Sequence, residues 1–217
     1  KELELKETHH LPLVSVAPRP LGFAASMNKD GYIDIALFSY HNAFSSNPPI
    51  VGISPAYSGR TGEAKNTLNN ILDTKEFTLS VVTFDMVEQM NICAAEFGPD
   101  IDEFEKAGLT KYSPQSVSVP GVAESPLIME CRFLQHIQFS DKPAGGNLLL
   151  GEILFFHARD DIYNENNQID PEKVDQVSRM GMNWYSRANQ GIFDLPAPRF
   201  LPIGVDNLPQ AVRDSSY

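Results

Sequence analysis

Cysteine and tryptophan are scarce in this 217-residue chain, with two of the first and one of the second. Cys93 and Cys131 form no CxxC pair, which argues against a disulfide scaffold and leaves small buried apolar groups as their expected role. No stretch approaches the roughly 18 apolar residues of a membrane span. The opening KELELKETHH lacks the apolar run of a secretory signal, so the expected compartment is the reducing cytoplasm. Positive charge is also short: 17 Lys and Arg stand against 28 Asp and Glu, for a formal net charge of −11. A nucleic-acid backbone is repelled by that balance, whereas a small anion needs only one local site. The G-x-G-x-x-G, G-x-x-x-x-G-K-[ST] and G-x-S-x-G signatures are absent. The five histidines show no ligand-like spacing, so no metal is expected.

What is present suffices for one core: 42% of the residues are hydrophobic, and a single domain over 1–217 is expected. Leu11–Val16 reads as β-compatible. Leu21–Met27 and Tyr32–Phe38 flank Asn28-Lys29-Asp30-Gly31, whose Asp-Gly predicts a hairpin. Ile50–Ser54 follows Pro48-Pro49 as a short strand. The spacing of Ala64, Leu68, Ile71 and Leu72 predicts a helix over 61–73, with Lys75 in the turn beyond it. Residues 76–83, 126–137 and 148–157 read as strands, and 84–97 and 102–107 as helical. The acidic stretch 159–170 lacks the spacing of a calcium loop and reads as a solvated loop. From Pro171 onward, short helix and Pro-interrupted coil are expected. About seven short strands joined by tight turns predict a mainly β fold, closed or partly closed as an antiparallel barrel.

Three segments carry chemistry. FSYHNAFSSNPP, residues 38–49, crowds hydroxyls, amides and a histidine before Pro-Pro. On residue types alone it is either a turn-rich loop or a cradle for phosphate or a heterocycle edge. Lys65-Asn66-Thr67 opens the predicted helix, where unpaired N–H groups favour an anion, although a solvated turn reads the same way. His157 ends an apolar strand as a core residue, a proton donor or a ring contact.

In collinear order, PRPLGFAASMNKDGYIDIALFSYHNAFSSNPPIVGIS, KNTLNNILDTKEFTLSVV, MNICAAEF, VAESPLIMECRF, GNLLLGEILFFHARDD and RMGMNWYSR resemble the flavin reductase-like proteins with the FMN-binding split-barrel fold, flavoredoxin-type branch. The resemblance covers about residues 10–187. It implies a six-stranded Greek-key split β-barrel with added helices, and a homodimer with non-covalent FMN near the interface. Carried to matching positions, it implies that Phe38, Ser39, Tyr40, His41, Asn42 and Ala43 line the flavin ring. Ser45 and Ser46 would hold the phosphate with Lys65, Asn66 and Thr67. Arg19 and Pro20 match the family's entry to the barrel, and His157, Trp184 and Tyr185 would meet a substrate at the open face. The chain departs from the pattern at Asn66, where many relatives are acidic, at Gly181-Met182, where many have Gly-Gly, and at His41, where an aromatic is common.

The activity so implied is an NAD(P)H-dependent flavin oxidoreductase. Hydride passes to FMN N5 and electrons go on to a small-molecule or protein acceptor, and no protein nucleophile is required. The backbone around His41–Ala43 is the candidate donor to the flavin N1–C2=O edge. Two further readings stand beside it: an FMN electron carrier without its own NAD(P)H site, and a barrel that binds some other small ligand without catalysis.

Overall fold

The computed structural model describes residues 5–95, 97–98 and 100–194, with side chains from His10 onward. Twelve strands are present among them: β1 (Arg19–Pro20), β2 (Gly22–Met27), β3 (Ile33–Phe38), β4 (His41–Ser46), β5 (Pro49–Ile53), β6 (Glu76–Val81), β7 (Lys111–Tyr112), β8 (Gly121–Val122), β9 (Leu127–Gln138), β10 (Asn147–Ala158), β11 (Val177–Gly181) and β12 (Trp184–Arg187). Five helices accompany them: α1 (Leu5–Ser15), α2 (Asn66–Thr74), α3 (Val87–Ile92), α4 (Glu103–Ala107) and α5 (Pro171–Val174).

The hairpin predicted at Asp-Gly forms as read. Asn28 Oδ1 accepts the N–H groups of Asp30 and Tyr32 at 3.0 and 2.9 Å, and Gly31 takes φ +89°. That turn fixes the β2–β3 register from Met27↔Ile33 to Gly22↔Phe38. The main sheet is antiparallel in the order β3-β2-β6-β9-β10-β5-β4. β3 and β4 therefore lie at opposite edges, yet only Ser39 and Tyr40 separate them. Three Cα steps span at most about 11 Å, so the two edges must curl together at this corner. No ladder joins them, which is the geometry of a split barrel; the mainly β architecture stands, with seven strands in the main sheet where six were expected.

Two cores fill the curve. One packs Phe23, Ala25 and Ile35 against Met86, Met90, Phe104 and Val122; the other packs Ala24, Val51 and Ile53 against Leu68, Ile71, Phe77 and Leu79. Cys93 and Cys131 are both free and buried within them, as expected of small apolar groups. Helix α2 buries Leu68 and Ile71, and ends at Lys75 in the left-handed region (φ +66°), in the turn where it was expected.

Four local readings need correction. Residues 11–16 belong mainly to α1, because Pro12 removes a ladder donor and β1 offers its pairing only to β11. The segment after Phe38 is an edge strand, β4, exposed along most of its length while it pairs with β5. The helix predicted over 61–73 starts at Asn66, and 61–65 is a non-helical approach held by hydrogen bonds. The segment after α5 contains the β11–β12 hairpin. Its bend sets Gly181 at φ +117° and Met182 at φ +50°, and methionine carries no turn signature. Glu96, at the end of the helix expected over 84–97, and the tail beyond Asp194 lie outside the described residues. No helix among the described residues is long and apolar enough to cross a membrane.

Candidate functional site

A cleft of about 510 Å³ opens beside β3, at the split corner. Asp34, Ala36 and Leu37 of β3 form its floor, and Ser39 and Tyr40 form the corner. The segment Ser58–Thr67 makes one wall, Cys93–Ala95 with Phe97 another, and Leu13, Arg19, Arg179 and Met182 close the far end.

One pole is cationic and rich in donors. Lys65 is the N-cap of α2, and the first turn of the helix carries no acidic residue. Such a terminus favours an anion through its unpaired N–H groups and its dipole. Beside it, Ser58 Oγ accepts the N–H groups of Arg60 and Thr61 at 3.3 and 3.2 Å. Ser58 N–H donates to Glu63 O at 2.8 Å, so Arg60 and Thr61 are presented from a closed turn.

Two carboxyls lie under this pole. Asp34 Oδ2 accepts the Thr67 hydroxyl at 2.6 Å and the Ser26 hydroxyl at 3.3 Å, and Asn70 donates to Ser26 at 3.1 Å. Thr67 is thus committed to fastening α2 onto β3, and what it offers the cleft is backbone. Burial raises the Asp34 pKa against those hydrogen bonds and the charge of Lys65. Glu103, 5% exposed, accepts Ile35 N–H at 3.2 Å; burial, then the charge of Asp34, pushes it up to about 8. Burial and both carboxylates push the Cys93 thiol up to about 12, so the cleft holds no thiolate at neutral pH.

Of the residues singled out from sequence, Ser39, Tyr40, Lys65, Asn66 and Thr67 are brought to this one cleft. Phe38 is a core residue. His41 turns away: its ring packs on Gly22, and Nδ1 donates to Gly52 O at 3.0 Å. Burial lowers its pKa, so it is a neutral packing residue joining β4 to β5. Asn42 Oδ1 accepts the Ala43 N–H at 2.9 Å. Ser45 and Ser46 sit at the β4–β5 hairpin end, outside the lining of the cleft and apart from Lys65.

His157 is elsewhere. It faces a second cavity with Tyr112 and Ser125, and its Nε2 lies 2.5 Å from Glu130 Oε1. Glu130 is fully buried and also accepts Gln115, Ser116 and Val117 N–H. Burial pushes its pKa up, but the bonds from His157, Gln115 and Ser116 together hold it below the usual range. This pair anchors the 115–117 loop. Trp184 is 74% exposed, and Tyr185 lies under the guanidinium of Arg179; neither lines the cleft.

Sequence reasoning missed Asp34, Ser58, Arg60, Thr61, Glu103 and Arg179 as lining residues. Ser58-Gly59-Arg60-Thr61 offered a signal, a polar turn just before the helix, but Thr61 was read into the helix itself. Asp34, Glu103 and Arg179 reach the cleft only through tertiary packing.

The chain matches the family model described as Flavin reductase like domain over residues 14–186. It is 35% identical to an uncharacterized protein of Aquifex aeolicus, over 87% of this chain and 93% of that one. Among solved structures, nitrilotriacetate monooxygenase component B from Bacillus cereus superposes with a TM-score of 0.83 at 30% identity, covering 89% of this chain and 95% of that one. Pseudomonas fluorescens 2-nitrobenzoate 2-nitroreductase gives 0.80 at 26% identity, covering 93% and 96%. With the family match spanning most of the chain and a split β-sheet of the same fold around the cleft, this protein belongs to the flavin reductase-like family.

Proposed function

We propose that this protein binds FMN in the β3 cleft, takes hydride from NAD(P)H and delivers the electrons to a small-molecule or protein acceptor. The observation that carries the reading is the cleft's polarity. Asp34, beside Thr67 and Lys65, and Ser39, just past the end of β3 at the corner, are five residues apart, or at most about 16 Å. A ligand with an anionic tail and a flat head fits that length, and FMN is such a molecule.

Bound there, FMN supplies hydride acceptance at N5; the protein supplies position and electrostatics. Lys65 and the opening N–H groups of α2 hold the phosphate, with Asn66 and the Arg60–Thr61 turn around it. Ala36, Leu37, Ser39 and Tyr40 flank the ring. Phe38 and His41–Ala43 support that corner from behind. Glu103, protonated at neutral pH, has one carboxyl oxygen on Ile35 N–H and keeps a proton at the cleft floor. The protein works as a cytoplasmic homodimer, a reading supported by exposed Leu134, Phe139 and Phe156 on and beside β9–β10. In that arrangement Ser45, Ser46, His157 and Trp184 reach a cofactor only from a second copy.

Anaerobic stopped-flow mixing of the FMN-loaded protein with NADH or NADPH tests the reading. Rapid bleaching of the visible flavin band is expected. Reduction by dithionite or a protein partner alone would establish the electron-carrier reading instead. Protein that neither binds FMN nor alters its fluorescence would leave a barrel for some other ligand.

A further inference from the structure

Arg19 is 3% exposed and lines the far end of the cleft, yet its Nε and Nη2 have no hydrogen-bond partner among the described residues. Its Nη1 is fully used: it donates to Leu13 O and, at 2.7 Å, to Val16 O. Those carbonyls, one in the last turn of α1 and one just past it, hold the guanidinium and leave Nε and Nη2 buried without a partner at the cleft's far end. The Nε–Nη2 edge is two parallel N–H donors in a fixed fork. Leaving two donors of a buried guanidinium unpaired is costly. No carboxylate among the described residues pairs with it. Its neighbour in register across β1–β11 is Arg179, another cation, whose own donors go to the Tyr185 hydroxyl and to Met182 O.

The fork thus calls for a planar pair of adjacent acceptors carrying negative charge. It stands on β1, beside the Ser39–Tyr40 corner and at the opposite end of the cleft from Lys65. Of the backbone expected from sequence to serve the ring edge, the Ala43 N–H is taken by Asn42 Oδ1.

We propose that the Nε–Nη2 fork of Arg19 binds the adjacent acceptors N1 and C2=O of the flavin ring and stabilises the negative charge that edge carries after reduction. This deepens the flavin reading and rests on it. The fork discriminates along the ring: N3–H is a donor and meets only donors. A cation at N1 also leaves N5 open. The charge costs little reorganisation, because α1 holds the guanidinium in place before the ring gains electrons.

The test is fluorescence titration of FMN and of riboflavin, which lacks the phosphate, with the wild-type protein, Arg19→Met and Arg19→Lys, followed by the flavin midpoint potential of each complex. Arg19→Met is expected to weaken both flavins by the same factor, about 10- to 100-fold. Reduced FMN is expected to lose about tenfold more affinity than oxidised FMN, which lowers the two-electron midpoint by about 30 mV. Arg19→Lys keeps the charge without the fork and is expected to fall between. Circular dichroism and thermal unfolding check the fold; if Arg19→Met does not fold, Arg19→Lys alone decides, by the same two readouts. Unchanged affinity and midpoint in a folded variant would overturn the proposal while leaving the flavin reading intact. A loss confined to FMN would place Arg19 on the phosphate and overturn it as well. Failure of the wild-type protein to bind either flavin would overturn the flavin reading and this proposal together.

Discussion

At the scale of single residues, the cleft is governed by groups whose ordinary chemistry has been shifted by burial. Glu103 is the clearest case, with a native pKa of about 8 against an ordinary 4.5. Between those values the folded protein holds a proton that the unfolded chain has released, so stability falls as pH rises through that interval. Asp34 is raised in the same direction, while neutral His41 acts oppositely near its ordinary 6.5, so the difference between two proteins isolates Glu103. Glu103→Gln is expected to flatten the decline in Tm between about pH 5 and 8 relative to wild type, measured by thermal unfolding across that range. Parallel pH profiles for the two proteins would show that Glu103 is ionised in the native state at neutral pH. None of this was visible in the letters: an acid in EFEKA looks like a solvated helical residue until α4 packs under β3.

Elements were legible where local chemistry decides them. The Asp-Gly hairpin, the strands around 76–83, 126–137 and 148–157, and the turn at Lys75 beyond α2 each carry their cause in adjacent residues. Edges were not legible. β4 reads as loop because its residues are mostly polar and exposed, and only its pairing with β5 makes it a strand. The β11–β12 hairpin turns on a left-handed Met182, and α1 packs on β11 with Leu13 O accepting from Arg19, contacts that only the tertiary fold brings together. Helix α2 supplies the element-scale prediction, because its N-terminus is the cationic pole of the proposed ligand site. Lys65→Ala should weaken FMN binding by roughly 1–3 kcal/mol, the scale of a lost charge-assisted hydrogen bond, while Lys75→Ala at the opposite end should change little. Fluorescence titration checks both, and equal affinity in Lys65→Ala would remove that lysine from the site.

For the whole molecule, the sequence resemblance reached the family and the mainly β fold, and it assembled two parts of the cleft: the Ser39–Tyr40 corner and the Lys65–Thr67 pole. It also carried residues that one chain does not bring to that cleft, Ser45, Ser46, His157 and Trp184 among them. The physical reason is that collinear order preserves which residues recur in a fold, but not which copy of the chain presents them. The proposed dimer would account for the mismatch, and the apolar side chains exposed around β9–β10 offer it a surface. Light scattering should give a mass of twice 24.1 kDa, and Phe156→Asp should shift the population toward monomer. A wild-type monomer at micromolar concentration would detach those four residues from the cofactor.

The most direct test of the account is a crystal structure of the FMN-loaded protein. The phosphate should lie at Lys65 and the start of α2, with the ring along Ala36–Tyr40 and its pyrimidine edge toward Arg19. FMN found in the Tyr112–His157 cavity instead, or lying in the β3 cleft with its phosphate at Arg19, would contradict it.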